Sequence, residues 1–371
     1  MACRKALFLL LPALLTGCLD EAKTTNTTNI PPAVSISMVN LGQSLFEDIS
    51  LSSDGNQACA SCHDINHAFT DPDNSIPVSE GSVTGLFGTR NTPTIAYARF
   101  TPALHQELDE GELLWMGGLF LDGREDSLED QAKRPFFNPV EMNNADVPSL
   151  INRLRSSPNA TAFLAVFGSD ALDPGKEEQA LDQMTQAIAA FERTPLFSPF
   201  TSRFDQYLRG ETTLTTQELE GMAMFVRADK GNCAACHVIT RSANGEPPVF
   251  TDFSYDNLGV PRNTDTRFYT ASFTDPGLAA NTNVNDPLLN GKFRVPTLRN
   301  IEKTAPYMHN GVFTDLRTIV EFYNSRDTEP QRWGETEYPD TINRSELGNL
   351  KLSDREIDAI VAFMKTLTDQ I

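Results

Sequence analysis

Cys59-Ala60-Ser61-Cys62-His63 and Cys233-Ala234-Ala235-Cys236-His237 repeat one pattern, C-x-x-C-H, once in each half of the chain. The spacing sets two thiols close together with an imidazole directly after the second. It is the attachment pattern of c-type haem, in which the thiols add to the vinyl groups and the histidine stands beside the iron. Two rival chemistries use cysteine pairs. A four-cysteine zinc site would draw on both pairs and leave both histidines without a role. A dithiol redox site has no need of a histidine after the second cysteine. The repeated motif therefore predicts two covalent c-type haems. Cys59, Cys62, Cys233 and Cys236 attach them, and His63 and His237 are iron ligands.

Short helical patterns precede both motifs: Leu41-Gly42-Gln43-Ser44-Leu45-Phe46 before the first, and Leu219-Glu220-Gly221-Met222-Ala223-Met224-Phe225 before the second. The second opens with a capping box of Thr215 and Glu218. Near the C-terminus, Ser353 and Glu356 form another box. Ile357, Ile360, Val361, Met364 and Leu367 then make an apolar stripe, read as core packed on the second haem. Helix, haem motif, long loops and closing helix is the layout of a small cytochrome c. Strand signals are sparse, and Pro/Gly/Asn-rich loops are long. The expected fold is mainly α, with two cytochrome c-like domains, each around one covalently bound c-type haem. They are placed at residues 36–200 and 201–371. Residues 191–204, with Pro195, Ser198 and Pro199, read as the crossing segment.

The chain has 371 residues, enough for about two domains. Its 30 Lys+Arg against 50 Asp+Glu give a formal charge of −20. That balance argues against nucleic acid or an anionic membrane surface as partner. It suits a small molecule or a basic redox protein. Two of the 6 cysteines lie outside the motifs, Cys3 and Cys18. Arg4 and Lys5 precede an apolar run over residues 6–15, too short to span a bilayer and of signal-peptide length. Leu15-Thr16-Gly17-Cys18 then resembles a bacterial lipobox; the plainer reading is a signal peptide with a chance cysteine. Residues 1–17 are expected to be a lipoprotein signal peptide and Cys18 the lipidated residue. Residues 18–35 read as a polar tether. The body would be exported to the periplasm or cell envelope, touching a membrane only through its lipid anchor.

Beyond the two motifs the chain resembles the bacterial di-haem cytochrome c peroxidase and MauG family from about residue 36 to 369. The segments that carry the likeness are Arg90-Asn91-Thr92-Pro93-Thr94, Asp122-Gly123-Arg124, Gln131-Ala132-Lys133, Asn138-Pro139-Val140-Glu141-Met142 and Phe191-Glu192-Arg193-Thr194. In the second half they are Asn257-Leu258-Gly259-Val260, Val295-Pro296-Thr297-Leu298-Arg299-Asn300 and Thr304-Ala305-Pro306-Tyr307-Met308-His309-Asn310-Gly311.

The resemblance implies that the N-terminal haem is the peroxide site and the C-terminal haem handles electrons. Glu141 matches the family's distal glutamate, an acid/base that moves a proton between the peroxide oxygens; its plain alternative is a surface Glu in an acidic chain. Gln131 matches a glutamine near the same pocket, a hydrogen-bond donor to peroxide. Tyr323 stands at the position of the second haem's sixth ligand, where the peroxidase branch has Met and MauG has Tyr. Phenolate lowers the iron potential, whereas Met raises it. Met308 and Met364 are rival ligands with core packing as their ordinary role. Asn91, with backbone oxygens of Thr304 and Pro306, matches a calcium site between the domains.

Relatives with an inactive resting state carry an extra His in the loop after the first motif. Residues 76–90 contain none. With His63 and His237 in the motifs and His309 in the family-like segment, His67 and His105 are the remaining histidines, neither well placed to close the active iron. The first iron is therefore expected to be open as made, as in the MauG-like branch. One departure stands out: Leu121 occupies the position before Asp-Gly-Arg where relatives carry Trp, a relay between the haems. Phe120, Trp115 or a direct path would have to serve. Taken together, a hydrogen-peroxide-dependent di-haem oxidoreductase is expected. Its electrons come from a small cytochrome c or cupredoxin, or, in a MauG-like enzyme, from side chains of a protein substrate. A di-haem electron carrier is the rival class and requires both irons closed.

Overall fold

The two halves are built on the same helix crossing. In a computed structural model, which describes residues 36–370 apart from 110 and 243, helix α1 (Ile36–Phe46) packs on α6 (Glu177–Glu192), and α8 (Thr216–Val226) packs on α11 (Asp354–Lys365). A glycine sits at each crossing. A Cβ on Gly42 would lie 1.9 Å from the carbonyl oxygen of Ala187, and one on Gly221 would lie 1.8 Å from that of Ala359. No side chain fits between these backbones, so the glycines set the approach of both pairs. Residues 1–17, Cys18 and the tether lie outside the described residues.

The helices between complete the list: α2 (Cys59–Cys62), α3 (Leu128–Phe137), α4 (Val147–Ser156), α5 (Ala160–Phe167), α7 (Arg203–Leu208), α9 (Leu316–Ser325) and α10 (Pro330–Trp333). The capping boxes of α8 and α11 form as the sequence suggests, through Thr215 with Glu218 and Ser353 with Glu356. Each satisfies N–H groups that a helix start leaves unpaired. Among the described residues, strands are confined to two antiparallel ribbons. One joins β1 (His105–Asp109) to β2 (Glu112–Met116); the other joins β3 (Tyr255–Asp256) to β4 (Phe293–Arg294). The fold is mainly α, of the cytochrome c-like kind.

Two large apolar clusters form the core. The first draws on residues from Leu41 to Phe197, and the second on residues from Phe204 to Leu367. Phe46, Phe69, Phe191 and Phe197 meet in the first; Phe204, Phe225, Phe250 and Phe363 meet in the second. The stripe on α11 is core as read: Ile357, Ile360, Met364 and Leu367 are buried and Val361 half-buried. Between the clusters, Arg299 and Asp205 form an ion pair with both side chains at 0% exposure. Such a pair is stable only when its hydrogen bonds are complete. The Pro248 carbonyl accepts from Arg299 Nε and Nη2, and Asp205 accepts from both terminal nitrogens.

Candidate haem sites

Both attachment motifs present their histidine in the same way. His63 Nδ1 lies 3.0 Å from the Phe69 carbonyl, and His237 Nδ1 lies 2.9 Å from the Phe250 carbonyl. A ring whose Nδ1–H donates to a carbonyl has its Nε2 lone pair free for a metal. Phe69 and Phe250 both adopt left-handed backbone, with φ of 60° and 55°. That conformation is uncommon for a bulky residue and must be held. Thr94 holds the first loop by donating to the Ala68 carbonyl at 2.6 Å, and Thr297 the second by donating to the Val249 carbonyl at 2.5 Å. Those threonines belong to the segments Thr92-Pro93-Thr94 and Val295-Pro296-Thr297. Their role here is to fix the carbonyl that orients each histidine.

The four motif cysteines are free thiols. Burial pushes all four up, Cys62 and Cys233 to about 12. Neutral thiols are the form that adds across a vinyl group. No cluster of three or more His, Cys, Asp or Glu side chains is arranged to hold a metal ion among the described residues. The thiols, the free Nε2 and the apolar surroundings fit covalent haem.

In the second half, Cys233, Cys236, His237 and Tyr323 line one cavity of about 270 Å³. The sequence-predicted ligand Tyr323 is thus brought to the same space as His237. Met308 and Met364 line it too. Burial raises the Tyr323 pKa, with the Cys233 and Cys236 thiols next in effect. Leu121 reaches this cavity, whereas Phe120 and Trp115 are not on its wall. Phe120 lies under the Arg124 guanidinium at 3.5 Å, and Trp115 sits in β2 opposite Gln106. Trp115 does not fold back into the place of the missing Trp.

In the first half, Glu141 is half-buried and its backbone is pinned at both ends. Its N–H donates to the Asn138 carbonyl at 3.0 Å, and its carbonyl accepts from Ser82 N at 2.7 Å. Asn138 Nδ2 donates to the carboxylate at 2.8 Å. Gly81 makes this docking possible: a Cβ there would lie 2.5 Å from the Val140 carbonyl. Burial raises the Glu141 pKa, partly offset by the Asn138 hydrogen bond and by Arg124. Its charge adds to the upward push on both Cys59 and Cys62, within electrostatic reach of the first attachment site. Gln131 lies half-buried on α3, with no side-chain hydrogen bond to Glu141 among the described residues. His67 bonds Asp64, and His105 lies by the Ala103 carbonyl; both are solvent-accessible side chains.

Asn91, Thr304 and Pro306 line one small cavity of about 10 Å³, close to the room one water needs. Asn91 N also donates to the His309 carbonyl at 2.7 Å, joining the two loops.

Sequence reasoning passed over Glu192, quoted only within a family-like segment. It is 6% exposed, and burial lifts its pKa to about 8. Its charge is the largest electrostatic influence on the Cys59 thiol. A Glu at a core position of a helix was the available signal.

A sequence model of di-haem cytochrome c peroxidases matches residues 37–213. The methylamine utilization protein MauG of Paracoccus denitrificans is 40% identical, covering 100% of this chain and 95% of that protein. A cytochrome c551 peroxidase of Nitrosomonas europaea is 34% identical over 89% of this chain and 80% of its own. The crystal structure of the diheme peroxidase BthA of Burkholderia thailandensis superposes with a TM-score of 0.80 at 35% identity, covering 91% and 87% of the two chains.

Proposed function

This chain belongs to the di-haem cytochrome c peroxidase family, and from that premise we propose that it is a hydrogen-peroxide-dependent di-haem oxidoreductase that reduces peroxide in its N-terminal half with electrons from a redox protein. The observation that carries the reading is Glu141, pinned at both backbone ends, raised in pKa by burial, and close enough to Cys59 and Cys62 for its charge to act on both thiols. When bound, the haems supply iron that passes single electrons. The chain's own residues do the rest. His63 and His237, with Nδ1 fixed by the Phe69 and Phe250 carbonyls, would offer Nε2 to the iron. Glu141 takes a proton from one peroxide oxygen and returns it to the other, so that the O–O bond breaks with water leaving. Two electrons and two protons convert peroxide to two waters. Gln131 would steady the peroxide by hydrogen bonding.

The same reading assigns Tyr323, on the wall of the His237 cavity, as the residue that would hold the second haem's iron together with His237. It places calcium at Asn91, Thr304 and Pro306, whose oxygens are the hard donors such a cation takes. It divides the chain into a peroxidatic domain at 36–200 and an electron-transfer domain at 201–371. It places the protein in the periplasm, lipid-anchored through Cys18 after removal of residues 1–17. No described helix is long and apolar enough to cross a membrane. A small basic cytochrome c or cupredoxin suits the −20 charge as donor. The MauG-like alternative, oxidation of side chains on a partner protein, is favoured by Tyr323 on the wall of the His237 cavity.

Steady-state assay decides between donors. The haem-loaded full chain should oxidise reduced small cytochrome c when peroxide is added. Peroxide consumption that proceeds only with a partner protein, which itself becomes oxidised, would favour the MauG-like alternative.

A further inference from the structure

The cavity of the second attachment site carries one cation that, although Asp256, Asp275, Glu337 and Glu346 also line the wall, forms no ion pair among the described residues. Arg294, on β4, lines it. Other deep arginines are matched: Arg90 by Asp122 and Asp275, Arg299 by Asp205, Arg326 by Asp327. Among the described residues no carboxylate lies within ion-pair distance of Arg294. Its guanidinium makes one hydrogen bond among the described residues, from Nε to the Phe120 carbonyl at 3.2 Å. An arginine offers five N–H groups in a planar fork. Burial pulls its pKa below the ordinary value, the expected response of an unpaired cation. Arg294 is half-buried, and a charge left unmatched in such a setting is destabilising. The fork suits a carboxylate, which it can hold through two parallel hydrogen bonds.

Arg294 is also tied to the segment where relatives carry the relay Trp. Its backbone N–H donates to the Leu121 carbonyl at 2.9 Å, beside the bond from Nε to Phe120. Leu121 itself lines the same cavity. One residue thus connects the cavity wall to the Phe120–Leu121 backbone.

We propose that Arg294 binds a propionate carboxylate of the haem attached at Cys233 and Cys236 and fixes that edge of the haem to the Phe120–Leu121 backbone. This assignment rests on the family reading above. Arg294 is a positioning residue and takes no part in proton transfer. Its positive charge beside the haem edge favours the reduced iron.

The test is a redox titration of the haem-loaded full chain with the variants Arg294→Gln and Arg294→Lys, after haem content is measured by mass. Arg294→Gln should lower the ratio of reduced to oxidised second haem at a fixed potential about tenfold, about 59 mV for a one-electron couple. The first haem's midpoint should stay in place. Arg294→Lys keeps the charge but loses the fork, so a smaller shift in the same direction is expected. It decides the matter should the Gln variant not accumulate. Full haem content with an unchanged second midpoint in either variant overturns the proposal. So does a wild-type midpoint that moves when acetate replaces chloride at constant ionic strength, because a free anion would then occupy the arginine. A wild-type chain without covalent haem would instead remove the family reading.

Discussion

Tyr97 and Asn300, at matching positions of the two halves, donate hydrogen bonds to the same oxygen of Asp369, at 2.8 and 3.0 Å. Each follows a Pro-Thr segment, Pro93-Thr94 and Pro296-Thr297, and each takes left-handed backbone, with φ of 61° and 62°. Thr201, within the crossing segment, donates its N–H to the other carboxylate oxygen at 2.9 Å. One buried carboxylate near the C-terminus therefore joins both proximal loops to the connection between the halves. Asp369→Ala would strand three donors, each costing about 1–3 kcal/mol when buried without a partner. Denaturant unfolding should register a loss of about 3 kcal/mol, with Asp369→Asn retaining part of it.

The helix crossings give a second prediction. Gly221→Ala would add a methyl group 1.8 Å from the Ala359 carbonyl oxygen, too close for any rearrangement short of moving α8 from α11. Alanine's helix propensity returns only about 1 kcal/mol. The net loss should be about 3 kcal/mol by thermal or denaturant unfolding. Gly42→Ala should behave alike at the α1–α6 crossing.

Glu192 predicts a pH effect on stability. Its pKa is raised from 4.5 to about 8 by burial. The folded state therefore holds this proton more tightly than the unfolded chain does. Stability from this group is fully present below about 4.5 and is lost progressively as pH rises to about 8. Glu192→Gln mimics the protonated form. Relative to wild type, its unfolding midpoint should match at pH 4 and rise with pH up to about 8. A constant difference at all pH values would show that Glu192 does not titrate in this window.

Tyr323→Phe should leave the second haem attached, because Cys233, Cys236 and His237 are untouched. The spectrum of that haem should change, and its midpoint should rise as an anionic oxygen donor is removed. An unaltered spectrum would return the ligand role to Met308 or Met364, which line the same cavity.

Much of this site could be read from the sequence because its chemistry is local. Cys59, Cys62 and His63 lie within five residues, and so do Cys233, Cys236 and His237. The capping boxes of α8 and α11 are likewise set by neighbours three apart. Glu141 could be singled out only through the family-like segment around it; composition alone offered 50 acidic residues to choose among. What could not be read depends on contacts between distant segments. Asp369 is reached by Tyr97 from 272 residues away. The lack of a carboxylate partner for Arg294 appears only when the carboxylates around it have been placed. Burial likewise separates Glu192 from the many solvated acids nearby.

Peroxide reduction beside Glu141 is the central claim, and rapid mixing with peroxide tests it most directly. The wild-type haem-loaded chain and Glu141→Gln are compared at matched haem content across pH. Because the base must be deprotonated and burial raises its pKa, the wild-type rate should fall on the acid side at a pH above the ordinary carboxylate value of 4.5. Glu141→Gln should slow the peroxide step by on the order of 10²-fold or more and abolish that acid limb. A variant that reacts at the wild-type rate, with the same pH profile, would contradict the account.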